Sequence, residues 1–111
     1  MGLFTRTRPI DAGGAADLLA ARSVVVLDVR EHAEWKTGHI QGAIHVPLAQ
    51  LQSRLPQLPS GKTIVTVCRS GHRSALAART LTRAGHDVFN LRGGMNAWAR
   101  AGLPLSSRKA R

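Results

Sequence analysis

The chain is predicted to be an α/β protein with a mainly parallel central sheet of about five strands and helices on both faces. Three observations carry that prediction. Strand-like and helix-like segments alternate from one end to the other. Val24-Val25-Val26-Leu27 and Thr63-Ile64-Val65-Thr66-Val67 are apolar or β-branched runs without polar alternation, as expected of strands covered on both sides. Glycine and proline fall between the segments, at Gly38, Pro56, Pro59, Gly85 and Gly93-Gly94.

Residues 1–9 are polar and basic and read as a flexible segment, which places the domain at 10–105 and a basic tail at 106–111. Asp11 is positioned to cap a helix running to about Arg22, with Leu18 and Leu19 on its apolar side. Gly13-Gly14 weakens its first turn. Val24–Leu27 is a buried strand that ends at Asp28-Val29-Arg30. Glu31–Lys36 suits a short helix stopped by Gly38. Ala43–Val46 is a short strand closed by Pro47. Leu48, Leu51 and Leu55 recur at helical spacing before the turn residues Pro56, Pro59 and Ser60-Gly61. Thr63–Val67 is a strand, and Arg73–Ala84 a helix with Gly85 just past its end. Asp87–Leu91 is the next strand, Gly93-Gly94 a turn, and Met95–Ala101 a last short helix. Trp35 and Trp98 are packing residues.

The bulk properties narrow the class. A chain of 111 residues with 43% apolar content fits one folded domain. No apolar stretch approaches the roughly 18 residues of a membrane span, and Met1–Arg6 lacks a signal-peptide core. A single cysteine forms no internal disulfide, and a free thiol suits a reducing compartment, so a cytoplasmic location is expected. Sixteen Lys and Arg against six acidic residues give a net charge of +10, which attracts anions or acidic proteins. Arg6, Arg8, Arg108, Lys109 and Arg111 lie near the ends. Basic residues are not interleaved with aromatics, so nucleic acid is not the favoured partner.

The single cysteine, Cys68, follows the Thr63–Val67 run and precedes Arg69-Ser70-Gly71-His72-Arg73-Ser74. A strand, a tight loop and a helix N-terminus place its thiol where backbone N–H groups and the positive end of a helix dipole converge. That setting favours the thiolate, the reactive form. Arg73 carries a charge that opposes the dipole at a helix start, so local stabilisation is a poor account of it. It either braces the loop through a carboxylate, with Asp28 as the candidate, or touches substrate. Arg30 and Glu34, spaced i,i+4, read as a surface ion pair. His39 and His45 lack the second cysteine or carboxylate cluster of a metal site. Gly93-Gly94 lacks the remaining spacing of a dinucleotide fingerprint. No metal or cofactor is expected.

Four segments together resemble the rhodanese (thiosulfate:cyanide sulfurtransferase) homology domain, in particular its single-domain members. They are Leu27-Asp28-Val29-Arg30 with Glu34-Trp35; Gly38-His39-Ile40-Gln41-Gly42-Ala43 through Pro47; Cys68 through Ser74, similar to C-x-x-G-x-R-S; and Gly93-Gly94 through Trp98 and Gly102-Leu103-Pro104. They occur in the family's order. The resemblance implies that the Cys68 thiolate takes the outer sulfur of a small anionic donor such as thiosulfate, forming a persulfide. Cyanide or a thiol then collects the sulfur. It implies that N–H groups of residues 69–73, with Gly71 allowing the tight curvature, cradle the negative charge. Arg69 and His72 would meet the donor's sulfonate, with Ser70 in the same loop. Asp28 and Ser74 would support the reacting groups from behind. An acidic sulfur-acceptor protein is a further expected partner, which would make the domain a carrier or sensor module.

The same architecture resembles Cdc25-type phosphatases, and arsenate reduction is a related alternative. Those cradles place five residues between Cys and Arg. Here four separate Cys68 from Arg73, and the sixth position after Cys68 is Ser74. The shorter loop suits a sulfur atom better than a tetrahedral phosphoryl group.

Overall fold

The structure, a computed structural model, describes residues 7–107. Five parallel strands form one sheet in the order β1-β5-β4-β2-β3, where β1 is Arg8–Ile10, β2 Val24–Asp28, β3 Ile44–His45, β4 Thr63–Val67 and β5 Val88–Leu91. Five α-helices are α1 (Ala12–Ala20), α2 (His32–Trp35), α3 (Leu51–Arg54), α4 (His72–Arg83) and α5 (Gly94–Arg100). Short 3₁₀ turns at Leu48–Gln50 and Leu55–Gln57 flank α3, so the leucine spacing there yields three short helical pieces around Pro56. No helix among the described residues is long and apolar enough to cross a membrane.

The two-sided burial expected of the central strands is observed. Val24 and Val26 of β2 and Val65 and Val67 of β4 join a core with Ala12, Ala15, Met95 and Trp98. Leu27, Ile64 and Cys68 face the other way, packing with Leu51, Ala77, Ala78 and Leu81. Successive residues point to opposite sides of a strand, so a continuous apolar run serves both layers. Helices α1 and α5 thus cover one face, and α3 and α4 the other.

The first strand corrects the reading of residues 1–9 as loose. Arg8–Ile10 pairs with Phe89–Leu91 at the sheet edge. Pro9 is tolerated there because an edge strand can spare an N–H. Arg8 lies 4.1 Å over the Phe89 ring and forms an ion pair with Asp87. At the other end, Ser106 exchanges main-chain hydrogen bonds with His39 at 2.7 and 2.8 Å, so the structured domain also passes residue 105. The expectations for residues 1–6 and 108–111 lie outside the described residues.

The strand order reverses between β2 and β4. From β4 the chain crosses through α4 to β5 on one side, and from β2 it runs through α2 to β3 on the other. In open parallel sheets, ligands bind outside the carboxyl ends of strands that diverge this way. Cys68 is the residue immediately after β4.

Candidate active site

The Cys68 side chain is buried, with 1% of its surface exposed. Its Sγ accepts a hydrogen bond from the Gly71 N–H at 3.1 Å and one from the Ser74 hydroxyl at 3.3 Å. Gly71 precedes α4 with φ of 113°, a conformation that side-chain-bearing residues rarely adopt. The chain turns there so that the first N–H groups of α4, which have no acceptor inside the helix, face the loop. Burial alone raises the thiol's pKa. Hydrogen bonds from the Ser74 hydroxyl, and then from the N–H groups of Ser74, Gly71 and Ser70, outweigh it, and the net shift is downward. The loop's hydrogen bonds thus act on the sulfur in the direction that stabilises a thiolate.

Ser74, itself fully buried, supplies the largest of the favourable contributions. Replacing it by alanine raises the pKa, because the donor that stabilised the thiolate is gone. The rate of Cys68 alkylation by iodoacetamide, followed against pH, should then rise at higher pH than in the wild type. The deficit at neutral pH should be several-fold and disappear in alkali. Overlapping profiles would remove Ser74 from this role.

Two carboxylate–arginine pairs stand behind the loop, and both differ from expectation. The partner of Arg73 is Glu34, not Asp28. Its two terminal nitrogens bind the two Glu34 oxygens at 2.6 and 2.9 Å in a forked pair. The Arg73 hydrogen bond is the main reason that the Glu34 pKa falls to about 2, against the opposing effect of burial. Glu34 in return raises the pKa of Arg73. Glu34 also accepts the Glu31 N–H at 3.0 Å, which caps α2. One side chain thus secures the start of α2 and the start of α4.

The surface pair expected between Arg30 and Glu34 does not form. Arg30 is only 5% exposed and folds back onto Asp28, which has no exposed surface. Nε lies 3.0 Å and Nη2 2.8 Å from the carboxylate, and the Arg30 N–H donates to it at 3.0 Å. A fully buried carboxylate needs a cation close by, and the residue two positions on supplies it before the helix pattern applies. Nη2 further donates to the Gly38 carbonyl at 2.8 Å. The hydrogen bonds shown for the Asp28 carboxylate all come from Arg30 rather than from the cysteine loop. It stabilises the Arg30–Gly38 corner around α2, and α2 carries Glu34.

Other braces were hidden in the sequence. The N–H groups of Met95 and Asn96 at the start of α5 donate to the carbonyls of Cys68 and Arg69 at 2.8 and 3.1 Å. The Asn90 amide donates to the Gly71 carbonyl at 3.3 Å, and the Thr66 hydroxyl to the Ser74 carbonyl at 3.0 Å. A polar Asn90 inside an apolar strand beside β4 was the available signal. Gly94 is more than a turn residue, because a Cβ there would lie 2.3 Å from the Cys68 carbonyl oxygen. Arg69, Ser70 and His72 form an exposed rim around the cradle.

His39 and His45 serve structure. His39 Nδ1–H donates to the Trp35 carbonyl at 3.0 Å, and His45 Nε2–H to the Arg30 carbonyl at 2.7 Å. Both rings stack on Trp35, with centroids 3.5 and 4.6 Å away.

The fold is an α/β domain with a buried cysteine just after a central parallel strand, its sulfur facing the N–H of Gly71 at the start of a helix. A family model described as the rhodanese-like domain matches residues 11–101, and the chain belongs to that family, as its four motifs predict. It is 39% identical to a sulfurtransferase of Allochromatium vinosum over 98 residues, covering 86% of this chain and 92% of that protein. It is 41% identical over 102 residues to an HTH-type transcriptional regulator of Mycobacterium tuberculosis, covering 87% of this chain. The chain spans 45% of that regulator's length. The solved structure of a rhodanese-related protein from Thermoplasma volcanium superposes with a TM-score of 0.86 at 30% identity, covering 91% of this chain and 99% of that one.

Proposed function

We propose that this domain transfers a sulfane sulfur through a persulfide on Cys68. The observation that carries the reading is the cradle itself, a lone buried sulfur facing hydrogen-bond donors. The Cys68 thiolate attacks the outer sulfur of thiosulfate. One S–S bond forms, the bond to the sulfonate sulfur breaks, and sulfite leaves with that electron pair. Charge is conserved, and the negative charge stays on sulfur, where the N–H groups of the loop offset it without rearrangement. No general acid is needed, since sulfite leaves as an anion. Arg69 and His72 on the rim attract the sulfonate end. Cyanide or a thiol then takes the outer sulfur and restores the thiolate. The sulfurtransferase relative supports this reading. A free catalytic thiol suits a reducing compartment such as the cytoplasm.

The state of Arg73 favours sulfur over phosphate. Binding a tetrahedral phosphoryl or arsenate oxyanion calls for a free guanidinium fork. Here the fork is already filled by Glu34.

Intact-protein mass spectrometry after thiosulfate treatment tests the proposal. A gain of about 32 Da is expected on the wild type and none on Cys68→Ser, with thiocyanate formation falling to background in the variant. Hydrolysis of an aryl phosphate without any thiocyanate formation would overturn it. A stable adduct with negligible cyanide turnover would identify the carrier form, with a protein in place of the small acceptor.

A further inference from the structure

These 111 residues hold no second cysteine, so a Cys68 persulfide must be unloaded by a group outside them. The surface next to the loop indicates what brings that group. Helix α4 begins one residue after Gly71 and buries Ser74, Ala77, Ala78, Leu81 and Thr82. Its outward residues are His72, Leu76, Arg79 and Arg83. At about 100° per residue these four fall within an arc of about 60°, a straight stripe that extends roughly 16 Å from the cysteine loop. Arg69 lies at its loop end.

Three properties set this stripe apart from an ordinary solvated face. It is cationic without relief, because α4 contains no acidic residue and among the described residues Arg69, Arg79 and Arg83 form no ion pair. The nearby carboxylate of Glu34 is already committed to Arg73. The helix itself does not call for this pattern, since only Arg83 sits in the last turn where the dipole favours a cation. Leu76, in the middle, is 47% exposed, one of two large hydrophobic side chains so exposed among the described residues. A cationic stripe around an exposed leucine complements a protein surface with acidic groups around an apolar side chain. A phosphate backbone offers nothing to the leucine.

We propose that the outer face of α4, from His72 to Arg83 with Arg69, docks an acidic protein segment whose cysteine accepts sulfur from Cys68. This rests on the persulfide reading above. The partner thiolate attacks the outer sulfur of Cys68–S–SH. A new S–S bond forms on the partner, the Cys68–S bond breaks, and Cys68 leaves as the thiolate while the proton stays on the transferred sulfur. A small footprint suits such a hand-off, because transient complexes bury little area. Charge steers the encounter and the leucine fixes its register.

Two synthetic peptides test the surface. Each has one cysteine and one leucine, flanked by glutamates in one and lysines in the other. The domain is loaded with thiosulfate, and discharge is followed by mass. The glutamate peptide should unload it about tenfold faster than the lysine peptide at low salt, and the difference should shrink as the Debye length falls below about 8 Å. Arg79→Glu with Arg83→Glu should abolish most of that preference, and Leu76→Ser should weaken it, while discharge by dithiothreitol stays at the wild-type rate. A preference that survives the double substitution would overturn the docking face. So would a single-stranded DNA oligonucleotide that binds through Arg79 and Arg83 when the glutamate peptide does not. Fluorescence anisotropy with a labelled glutamate peptide carrying serine for cysteine separates the two hypotheses. Binding that depends on Arg79 and Arg83 without any thiosulfate adduct would retain the surface and reject the persulfide. An adduct without such binding would do the reverse.

Discussion

Gly94→Ala is expected to lower stability by about 2–4 kcal/mol and to slow Cys68 persulfide formation even at temperatures where the variant is fully folded. The new Cβ would lie 2.3 Å from the Cys68 carbonyl oxygen, 2.6 Å from that of Arg69 and 2.7 Å from the Arg69 carbonyl carbon. All three are backbone atoms, so no rotamer change relieves the clash. The start of α5 must retreat, and the two hydrogen bonds from Met95 and Asn96 to the loop are lost with it. The residue also has φ of +57°, which disfavours any side chain. Gly85→Ala is the control. There a Cβ meets nothing within 4 Å, so only the backbone preference is lost, about 1 kcal/mol. Thermal melts and the rate of mass gain with thiosulfate check both. Equal behaviour of the two variants would show that α5 does not set the loop.

The second large effect is expected at Asp28. Asp28→Ala leaves Arg30 buried with its charge uncompensated, and breaking such a pair costs about 3–5 kcal/mol. For a domain of about 100 residues this lowers the melting temperature by roughly 12 °C or more. The Arg30 guanidinium also positions the Gly38 carbonyl, so the corner that carries α2 loosens. A second consequence is functional. With α2 displaced, Glu34 holds Arg73 less firmly, and persulfide formation is expected to slow although Asp28 forms its hydrogen bonds with Arg30. Asp28→Asn keeps the shape and part of the hydrogen bonding, and should lose less. A loss below about 1 kcal/mol in Asp28→Ala would show that Arg30 finds water or another partner.

These two sites illustrate where sequence reasoning succeeds and where it stops. The strands β2 and β4 were legible because each is a continuous run whose neighbours alternate between two covered layers. The Cys68 loop was legible because strand, nucleophile, glycine and helix start are contiguous. The role of Gly94 was not, since its constraint comes from a carbonyl on another loop. The Arg73 partner was missed for a related reason. Glu34 lies 39 positions away, and a second carboxylate, Asp28, ends the adjacent strand. Local spacing assigned Glu34 to Arg30, but burial of Asp28 claimed Arg30 first. Strand β1 was hidden because Arg8-Pro9 has the composition of a tail and becomes a strand only by pairing with Phe89 and Asn90.

On the proposed persulfide chemistry, the burial of Cys68 would give the sulfur-free and sulfur-loaded domains different faces. Without an added sulfur, Cys68 is 1% exposed while its neighbours Arg69 and Ser70 are exposed. Charging adds an atom about 2 Å beyond Sγ, the length of an S–S bond. An electrophilic end placed there would be less deeply buried than Sγ and so more open to an approaching thiol. On that reading cargo would be its own signal of readiness, since a visiting acceptor would engage chemistry only where there is sulfur to collect.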